Sequence, residues 1–338
     1  MIPELNASYW ASKVITTPWM EYVGAVDITG GTAGWRAGQE EDLKIHGEVG
    51  AYTYATVTRD KDLDGNTLWA IWLIRCLTAN LPLGPWELVG SAPLVYTGSQ
   101  GTKNNGWVAA GNLMLTATGW RMYYYGNGSA IPGGCAMQVT LAQAETSIDD
   151  LPGNMTEYES NPILTGSMIY DAQIWTPEMS GLDHWTTIAS HCIGGEVCKG
   201  RRAVSSDGLT DWAWEGAGYI IDLGAAGEPD AYSIIPVGKP VYRNGRWESP
   251  YQGARSANGR WGIFWGHVNA AITTYTKDPR YPVLTIGMGG APTMSSIENP
   301  CPWYVGGKLH LFSVCQQTWQ GALIGVNATY TLQCFREI

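Results

Sequence analysis

The chain has 338 residues, of which 15% are charged; glycine (43), tyrosine (18) and tryptophan (17) are abundant and phenylalanine (3) is rare. This composition is typical of short β-strands joined by glycine turns, so we expect an all-β protein. The formal net charge of −10 argues against a nucleic-acid partner, because such an interface depends on clustered positive charge. No apolar run approaches the roughly 20 residues of a membrane span, so we predict no membrane insertion.

The N-terminal stretch MIPELNASYW has neither the basic start nor the apolar core of a secretory signal. We therefore expect synthesis in the cytoplasm. The seven cysteines are odd in number and irregularly spaced, which predicts buried thiols rather than a disulfide framework. Cys192 and Cys198 are included in that expectation, since their spacing also differs from a zinc knuckle.

Four strand-like pieces follow one another from Glu48, within EVGAYTYATVTRDKDLDGNTLWAIWLIRCLT and GPWELVGSAPLVYTG. The segment DKDLDGNT resembles the start of a calcium-binding EF-hand loop but lacks its closing glutamate, so we interpret it as a hairpin turn. The same order of strands returns from Gly106, and the period is roughly 60 residues. A repeat of this kind predicts a propeller blade for each unit.

The third unit contains SSDGLTDW, residues 205–212. We expect its glycine to take a positive φ at the end of the third strand, and its tryptophan to cover the junction with the neighbouring blade. Two further units follow, so the sequence predicts a five-bladed β-propeller with four-stranded antiparallel blades. The predicted domain spans 1–338, its ring is closed by a strand from 18–30, and its blades are 48–100, 104–166, 168–224, 246–288 and 296–338.

With the segments NPIL, SDGLTDW and GRWGIFWGH, this architecture resembles the five-bladed propeller glycosidases, the superfamily of arabinanases, xylosidases, fructosidases and related phosphorylases. The resemblance covers nearly the whole chain. It implies an active site at the mouth of the central channel, where carboxylates at the starts of the inner strands converge on a sugar. The expected partner is therefore a carbohydrate ligand.

The predicted inner-strand starts carry Glu48, Asp171, Glu248 and Glu298, whereas the second blade offers Asn104 and Asn105. Crowded carboxylates repel one another, so at least one should have a raised pKa and suit a general acid. Family members place acids on the first three inner strands, and the amides depart from that pattern. By position Glu48 would be the base and Asp171 the general acid. Alternatively, Glu248 is the acid with Asp171 modulating its pKa, or Glu196 reaches in from a loop.

Aromatic and histidine side chains near the same strand ends are candidates for substrate binding, because an aromatic face suits the apolar side of a pyranose. Packing between blades is their other interpretation. The candidates are Trp107, Tyr170, Trp175, Trp247, His46, Glu298 and His267. We expect no cofactor; a channel cation such as calcium is compatible with the fold but has no motif.

Two functions fit the sequence. The first is a glycan-recognising propeller with glycoside hydrolase activity. The alternative is a non-catalytic structural or receptor-binding subunit of a virion or other large particle, with other subunits as its partners. The missing secretory signal and the low charge favour the alternative, because such a particle is assembled inside a cell and used outside it.

Overall fold

A computed structural model describes most of the chain and shows an almost entirely β architecture. The described residues are 20–28, 40–61, 67–99, 103–131, 134–166, 168–193, 197–256, 261–279, 283–284, 296–317 and 329–338. One short α-helix, α1 (Pro177–Ser180), lies among them, together with 3-10 turns at Thr78–Asn80 and Ile148–Asp150. Among the described helices, none is long and apolar enough to cross a membrane.

The described strands form five antiparallel sheets, numbered here in chain order, and each sheet is one blade. The first blade contains β2 (Glu40–Val49), β3 (Tyr52–Lys61), β4 (Thr67–Leu77), β5 (Trp86–Leu88) and β6 (Val95–Tyr96). The second contains β7 (Trp107–Thr116), β8 (Gly119–Asn127), β9 (Cys135–Ala142) and β10 (Thr156–Glu157). The third contains β11 (Ala172–Trp175), β12 (Trp185–Ile193), β13 (Val197–Ser205) and β14 (Ala213–Trp214).

The fourth and fifth blades complete the ring. The fourth contains β15 (Ser233–Pro236), β16 (Val241–Arg243), β17 (Arg246–Ala254), β18 (Trp261–Val268) and β19 (Tyr275–Lys277). The fifth contains β20 (Ser296–Val305), β21 (Lys308–Gln317) and β22 (Thr329–Glu337), with β1 (Met20–Ala25) paired to β22 at its outer edge.

Of the six buried apolar clusters among the described residues, five lie one between each pair of neighbouring blades, and the sixth is a second, smaller cluster between the third and fourth blades. One cluster joins the first and second blades through Leu73 and Tyr124, and another joins the fifth and first through Phe312 and Leu43. The remaining three join the second to the third, the third to the fourth and the fourth to the fifth. Apolar burial between every pair of neighbours holds the blades in a ring. The predicted all-β five-bladed propeller is therefore confirmed.

Two blades begin earlier than the sequence predicts. The first begins at Glu40 rather than at residue 48, because β2 is a full strand that precedes the expected start. The fourth includes β15, which pairs with the later half of β17, while the short β16 pairs with its earlier half. The inner edge of the fourth blade is thus two short strands interrupted at 237–240.

The turn of the third blade has the expected conformation. Gly208 has φ +76°, and the indole of Trp212 donates to its carbonyl at 2.9 Å. Tyr123 of the second blade donates to the same carbonyl, while Trp212 packs in the cluster between these blades. The turn therefore fastens the third blade to the second, as the position of its tryptophan predicts.

The cysteine prediction is wrong at one pair. Cys192 and Cys198 form a disulfide, because the β12–β13 hairpin places them directly opposite each other. The other five cysteines are free and buried, as expected. The DKDLDGNT prediction cannot be compared, because residues 62–66 lie outside the described part of the chain.

Candidate functional site

A cavity of about 420 Å³ lies at one end of the central channel. It is lined by residues at or near the beginnings of the innermost strands of the first, second, third, fourth and fifth blades, among them Asp42, Ala109, Asp171, Ser233 and Glu298. This space is called the first cavity below. A second cavity, of about 360 Å³, is lined by residues further along the same strands, including His46, Asn112, Ile174 and Lys239. The two cavities therefore open at opposite ends of the channel.

Three carboxyl side chains line the first cavity: Asp42 on β2, Asp171 immediately before β11, and Glu298 on β20. Asp42 and Asp171 are each 3% exposed, whereas Glu298 is half-buried. They come from the first, third and fifth blades, so the channel brings together groups that are far apart in the sequence.

Lys44 connects two of these carboxyls beneath the cavity. Its Nζ lies 2.6 Å from Asp171 Oδ2 and 3.5 Å from Asp42 Oδ1. Because Asp42 and Lys44 are two residues apart on β2, their side chains project from the same face of the strand. The contact with Asp171 crosses from the first blade to the third and fixes both carboxyls at the channel axis.

Burial determines the ionisation of this cluster. It raises the pKa of Asp171 to about 7, although the ammonium of Lys44 opposes the shift. Burial also raises the pKa of Asp42 against the same ammonium. Burial would lower the pKa of Lys44, but the two carboxylates outweigh it and the net shift is upward. The cluster therefore combines one cation with two carboxyls that retain a proton more readily than exposed aspartates do.

The hydrogen bonds of the two aspartates differ. Asp171 Oδ2 accepts from Lys44, and its Oδ1 accepts from the amide of Ala172 at 2.7 Å. Asp42 Oδ1 is buried and lies 3.5 Å from the Lys44 ammonium, so its contact with Lys44 is weaker than that of Asp171. The carboxylate form of Asp171 thus has more hydrogen bonds than that of Asp42, although burial raises the pKa of both.

Aromatic rings form one wall of the first cavity, which includes Trp69, Trp107, Tyr170 and Trp261. The rings of Trp107 and Tyr170 stack with an interplanar angle of 6° and centroids 6.1 Å apart. Trp69 lies beside Trp107 at 6.5 Å. Half-buried aromatic faces beside carboxyl groups provide both apolar contact and hydrogen-bond acceptors for a ligand.

The structure brings four of the predicted site residues into the first cavity: Asp171, Glu298, Trp107 and Tyr170. It does not bring Glu48 there. Glu48 is exposed near the end of β2, beyond His46, which lines the second cavity. Glu48 therefore lies toward the opposite end of the channel from Asp171.

The sequence predicts Glu248 at the start of an inner strand. The structure instead places it on β17, the second strand of its blade. It is 1% exposed and accepts from Arg243 at 2.9 Å, Arg246 at 3.0 Å and the Trp265 indole at 3.0 Å. This buried ion-pair network lies outside the residues that line either cavity. Its geometry is that of a structural carboxylate.

The other candidates lie away from the first cavity. Trp175 is fully buried and Trp247 packs beside it, both in the cluster between the third and fourth blades. His267 is on β18, directly opposite Glu248, and burial lowers its pKa. Glu196 lies outside the described residues.

Asp42 and Lys44 were not predicted from the sequence. The sequence signal for these two residues is the segment DLK in EEDLKIHGEVG, where an acid and a base alternate with apolar residues in a strand. The predicted strand start at Glu48 lies after this segment, so Asp42 and Lys44 were left out of the predicted strand. In the part of the chain that the structure describes, no group of three or more His, Cys, Asp or Glu side chains is placed to hold a metal ion.

No family model and no curated protein matches the sequence. Solved structures do match the fold. An alpha-L-arabinofuranosidase from Lactobacillus brevis superposes with a TM-score of 0.62 at 14% identity, covering 88% of this chain and 90% of that one. The catalytic domain of a GH62 alpha-L-arabinofuranosidase from Coprinopsis cinerea gives 0.61 at 10% identity, covering 95% and 97%.

A beta-1,2-mannobiose phosphorylase from Listeria innocua gives a TM-score of 0.59 at 10% identity, covering 96% of this chain and 92% of that one. The structural neighbours thus include glycoside hydrolases and phosphorylases. The similarity shows that this chain has the five-bladed propeller fold of those enzymes.

Proposed function

We propose that this propeller binds a carbohydrate in the first cavity and cleaves a glycosidic bond there. The observation that carries the proposal is the meeting of Asp42, Asp171 and Glu298 with an aromatic wall in one cavity at the channel mouth. The fold shared with glycoside hydrolases and phosphorylases supports it. A cavity of about 420 Å³ is within the usual range for a small-molecule site.

Cleavage of a glycosidic bond needs a proton donor for the leaving oxygen and a second carboxylate that acts as base or nucleophile. The pair Asp42 and Asp171 supplies the donor in this proposal, because burial keeps a proton on the pair near neutral pH. Asp42 delivers the proton, since its Oδ1 has the weaker contact with the Lys44 ammonium, at 3.5 Å against 2.6 Å for Asp171. Asp171 stays paired with Lys44 and holds that ammonium in place.

Glu298 is the second carboxylate of the proposal. It is half-buried and lines the cavity from the fifth blade, next to Asn299. A less buried carboxylate loses less solvation on ionisation, so it suits the basic role. The stacked rings of Trp107 and Tyr170 would contact the apolar face of the sugar.

The test is turnover of aryl glycosides and of plant, algal and bacterial polysaccharides by the purified chain. Asp42→Asn, Asp171→Asn and Glu298→Gln are compared with Glu48→Gln, a matched amide change on an exposed carboxylate outside the first cavity. We expect hydrolysis by the unmodified protein and by Glu48→Gln, with losses of at least about a hundredfold in Asp42→Asn and Glu298→Gln.

Loss of turnover in Glu48→Gln but not in Asp42→Asn would overturn the assignment of the site. Absence of turnover across the panel would overturn the enzymatic part of the proposal. Sugar binding that Trp107→Ala abolishes would then leave a recognition module, which is the function of the non-catalytic alternative. Absence of both turnover and binding would overturn the carbohydrate proposal altogether.

A further inference from the structure

The second cavity, at the opposite end of the channel, contains a lysine with an unusual environment. Lys239 lies in the segment 237–240 that interrupts the inner edge of the fourth blade. Its Nζ donates to the carbonyl of His46 at 3.1 Å and lies 5.9 Å from the centre of the Trp303 ring. Among the described residues no carboxylate forms an ion pair with Lys239, whereas the nearby Lys44 has two.

The backbone around Lys239 is confined by the neighbouring segments. Gly238 has φ +78°, and a Cβ there would lie 2.1 Å from the carbonyl oxygen of Pro300. The backbone therefore presses against β20, and Lys239 follows immediately before Pro240, whose φ is fixed by its ring. The backbone of the segment is therefore confined, and the hydrogen bond to the His46 carbonyl positions the ammonium.

Burial of an ammonium without a counter-ion is unfavourable, and burial lowers the pKa of Lys239 accordingly. The neighbouring His46 adds no positive charge of its own. Burial, Lys239 and Lys44 lower its pKa well below the ordinary value. Since the Thr56 hydroxyl donates to the Gly111 carbonyl, its oxygen accepts from His46 Nε2. Lys239 thus supplies the positive charge of the second cavity, and no carboxylate of the described residues forms an ion pair with it.

The remaining walls define the kind of ligand. Seven apolar residues line the cavity: Leu113, Met114, Leu115, Ala117, Ile174, Met179 and Pro240. Glu178 also lines it and is exposed. A hydrogen bond from its own backbone amide and one from Thr176 hold its pKa below the ordinary value. A carboxylate at this position repels a second negative charge.

We propose that the second cavity is a binding site for a small monocarboxylate with an apolar body, and that Lys239 is its counter-ion. The carboxylate of the ligand would act as a counter-ion for Lys239, and its apolar body would contact the leucine and methionine side chains. The site goes beyond the carbohydrate function proposed for the first cavity and does not depend on it, because the two cavities lie at opposite ends of the channel.

The experiment is a titration followed by NMR of the full chain carrying ¹³C-labelled methionine methyl groups. Met114 and Met179 report on the second cavity, while the indole N–H signals of Trp69 and Trp107 report on the first. The probes are hexanoate, its neutral analogue 1-hexanol and the dianion adipate, which has the same number of carbons.

We expect hexanoate to shift the Met114 and Met179 signals saturably and to bind at least about tenfold more tightly than either other probe. Lys239→Gln should weaken hexanoate binding by about tenfold or more, and Lys239→Arg should retain most of it because the charge is kept. Glu178→Gln should strengthen adipate binding. Asp183→Asn, on an exposed side chain outside both cavities, is the control and should bind hexanoate as the unmodified protein does.

Equal affinity for hexanoate and 1-hexanol would overturn the role of the charge, as would unchanged hexanoate binding in a folded Lys239→Gln. If Lys239→Gln does not fold, the hexanol and adipate comparisons in the unmodified protein decide the same question. Shifts confined to the tryptophan signals, or no shift of Met114 and Met179 at all, would also overturn the proposal.

Discussion

At the scale of single residues, the first cavity depends on how three charged groups share one proton. Lys44 contacts both Asp42 and Asp171, and all three side chains are buried. The carboxyls therefore respond to pH together, and changing either one alters the ionisation of the other. Glu248 has the opposite surroundings, since two arginines and an indole satisfy it.

The stability of the protein should depend on pH through Asp171. Its folded pKa is raised to about 7, above the value of about 3.9 for an unfolded aspartate. The folded state therefore binds more protons between these values. The free energy of unfolding should fall as pH rises through this window, by up to about 1.4 kcal/mol per pH unit.

Urea unfolding at intervals from pH 4 to pH 8 measures this slope. Asp171→Asn should flatten it, because the amide does not titrate. Two outcomes would contradict the raised pKa. One is the same slope in both proteins, and the other is a free energy of unfolding that rises with pH only in the unmodified protein.

Glu248→Gln should destabilise the fold rather than act on turnover alone. The change removes the buried negative charge that pairs with Arg243 and Arg246. We expect the free energy of unfolding to fall by about 2–4 kcal/mol. Glu48→Gln, on an exposed side chain, should stay within about 0.5 kcal/mol of the unmodified protein. Denaturant unfolding compares the two, and equal stability would show that the arginine contacts contribute little.

At the scale of elements, the turn between β13 and β14 combines a strained backbone with a contact between blades. Asp207 accepts hydrogen bonds from the amides of Leu209 and Thr210, so the turn is locally ordered. Arg121 of the second blade donates to the Asp207 carbonyl at 2.5 Å. The glycine at its centre is therefore required both by its φ and by the neighbouring blade.

Gly208→Ala should cost more than an ordinary glycine replacement in a turn. A Cβ at Gly208 would lie 2.5 Å from the Trp185 ring. Gly216, with φ +62°, has only the Gly218 amide nitrogen at 4.0 Å from its added Cβ, so Gly216→Ala is the matched control. We expect about 1 kcal/mol for Gly216→Ala and about 3 kcal/mol or more for Gly208→Ala, measured by thermal unfolding. Equal costs would mean that Trp185 moves aside without penalty.

For the whole molecule, the outer edge of the fifth blade is covered by a strand from the other end of the chain. Met20 lies opposite Glu337, and Ala25 lies opposite Gln333. Tyr22 donates to the Gln333 side chain at 2.7 Å, and Arg336 pairs with Glu21. Without β1, the outer edge of β22 would be open to pairing with another chain.

Deleting residues 1–28 should therefore lower the melting temperature by about 10 °C or more and promote self-association. Calorimetry and light scattering measure both effects. Adding a peptide of residues 18–30 should reverse the self-association and restore part of the stability. A truncated protein that stays monomeric at the original melting temperature would show that β1 is dispensable for closure.

The repeat of four strands, the number of blades and the turn at Gly208 could be predicted from the sequence, because local alternation and glycine positions specify strands and turns. The positions of Asp171, Glu298, Trp107 and Tyr170 near strand ends could be predicted as well. Which carboxyls meet could not, because that depends on how the folded ring brings the strand ends together. Along a strand, the six residues from Asp42 to Glu48 span roughly 20 Å, so a modest error in a strand start moves a side chain to the opposite end of the channel.

The inner edge of the fourth blade shows the same limit. The sequence places Glu248 at the start of an inner strand. The structure instead places it on β17 and builds the inner edge from the short strands β15 and β16. The pairing of Cys192 with Cys198 and the contact of Lys44 with Asp171 depend on register and on packing across the channel. Such contacts join residues whose separation in the sequence carries no local signal, and for that reason only the folded ring determines them.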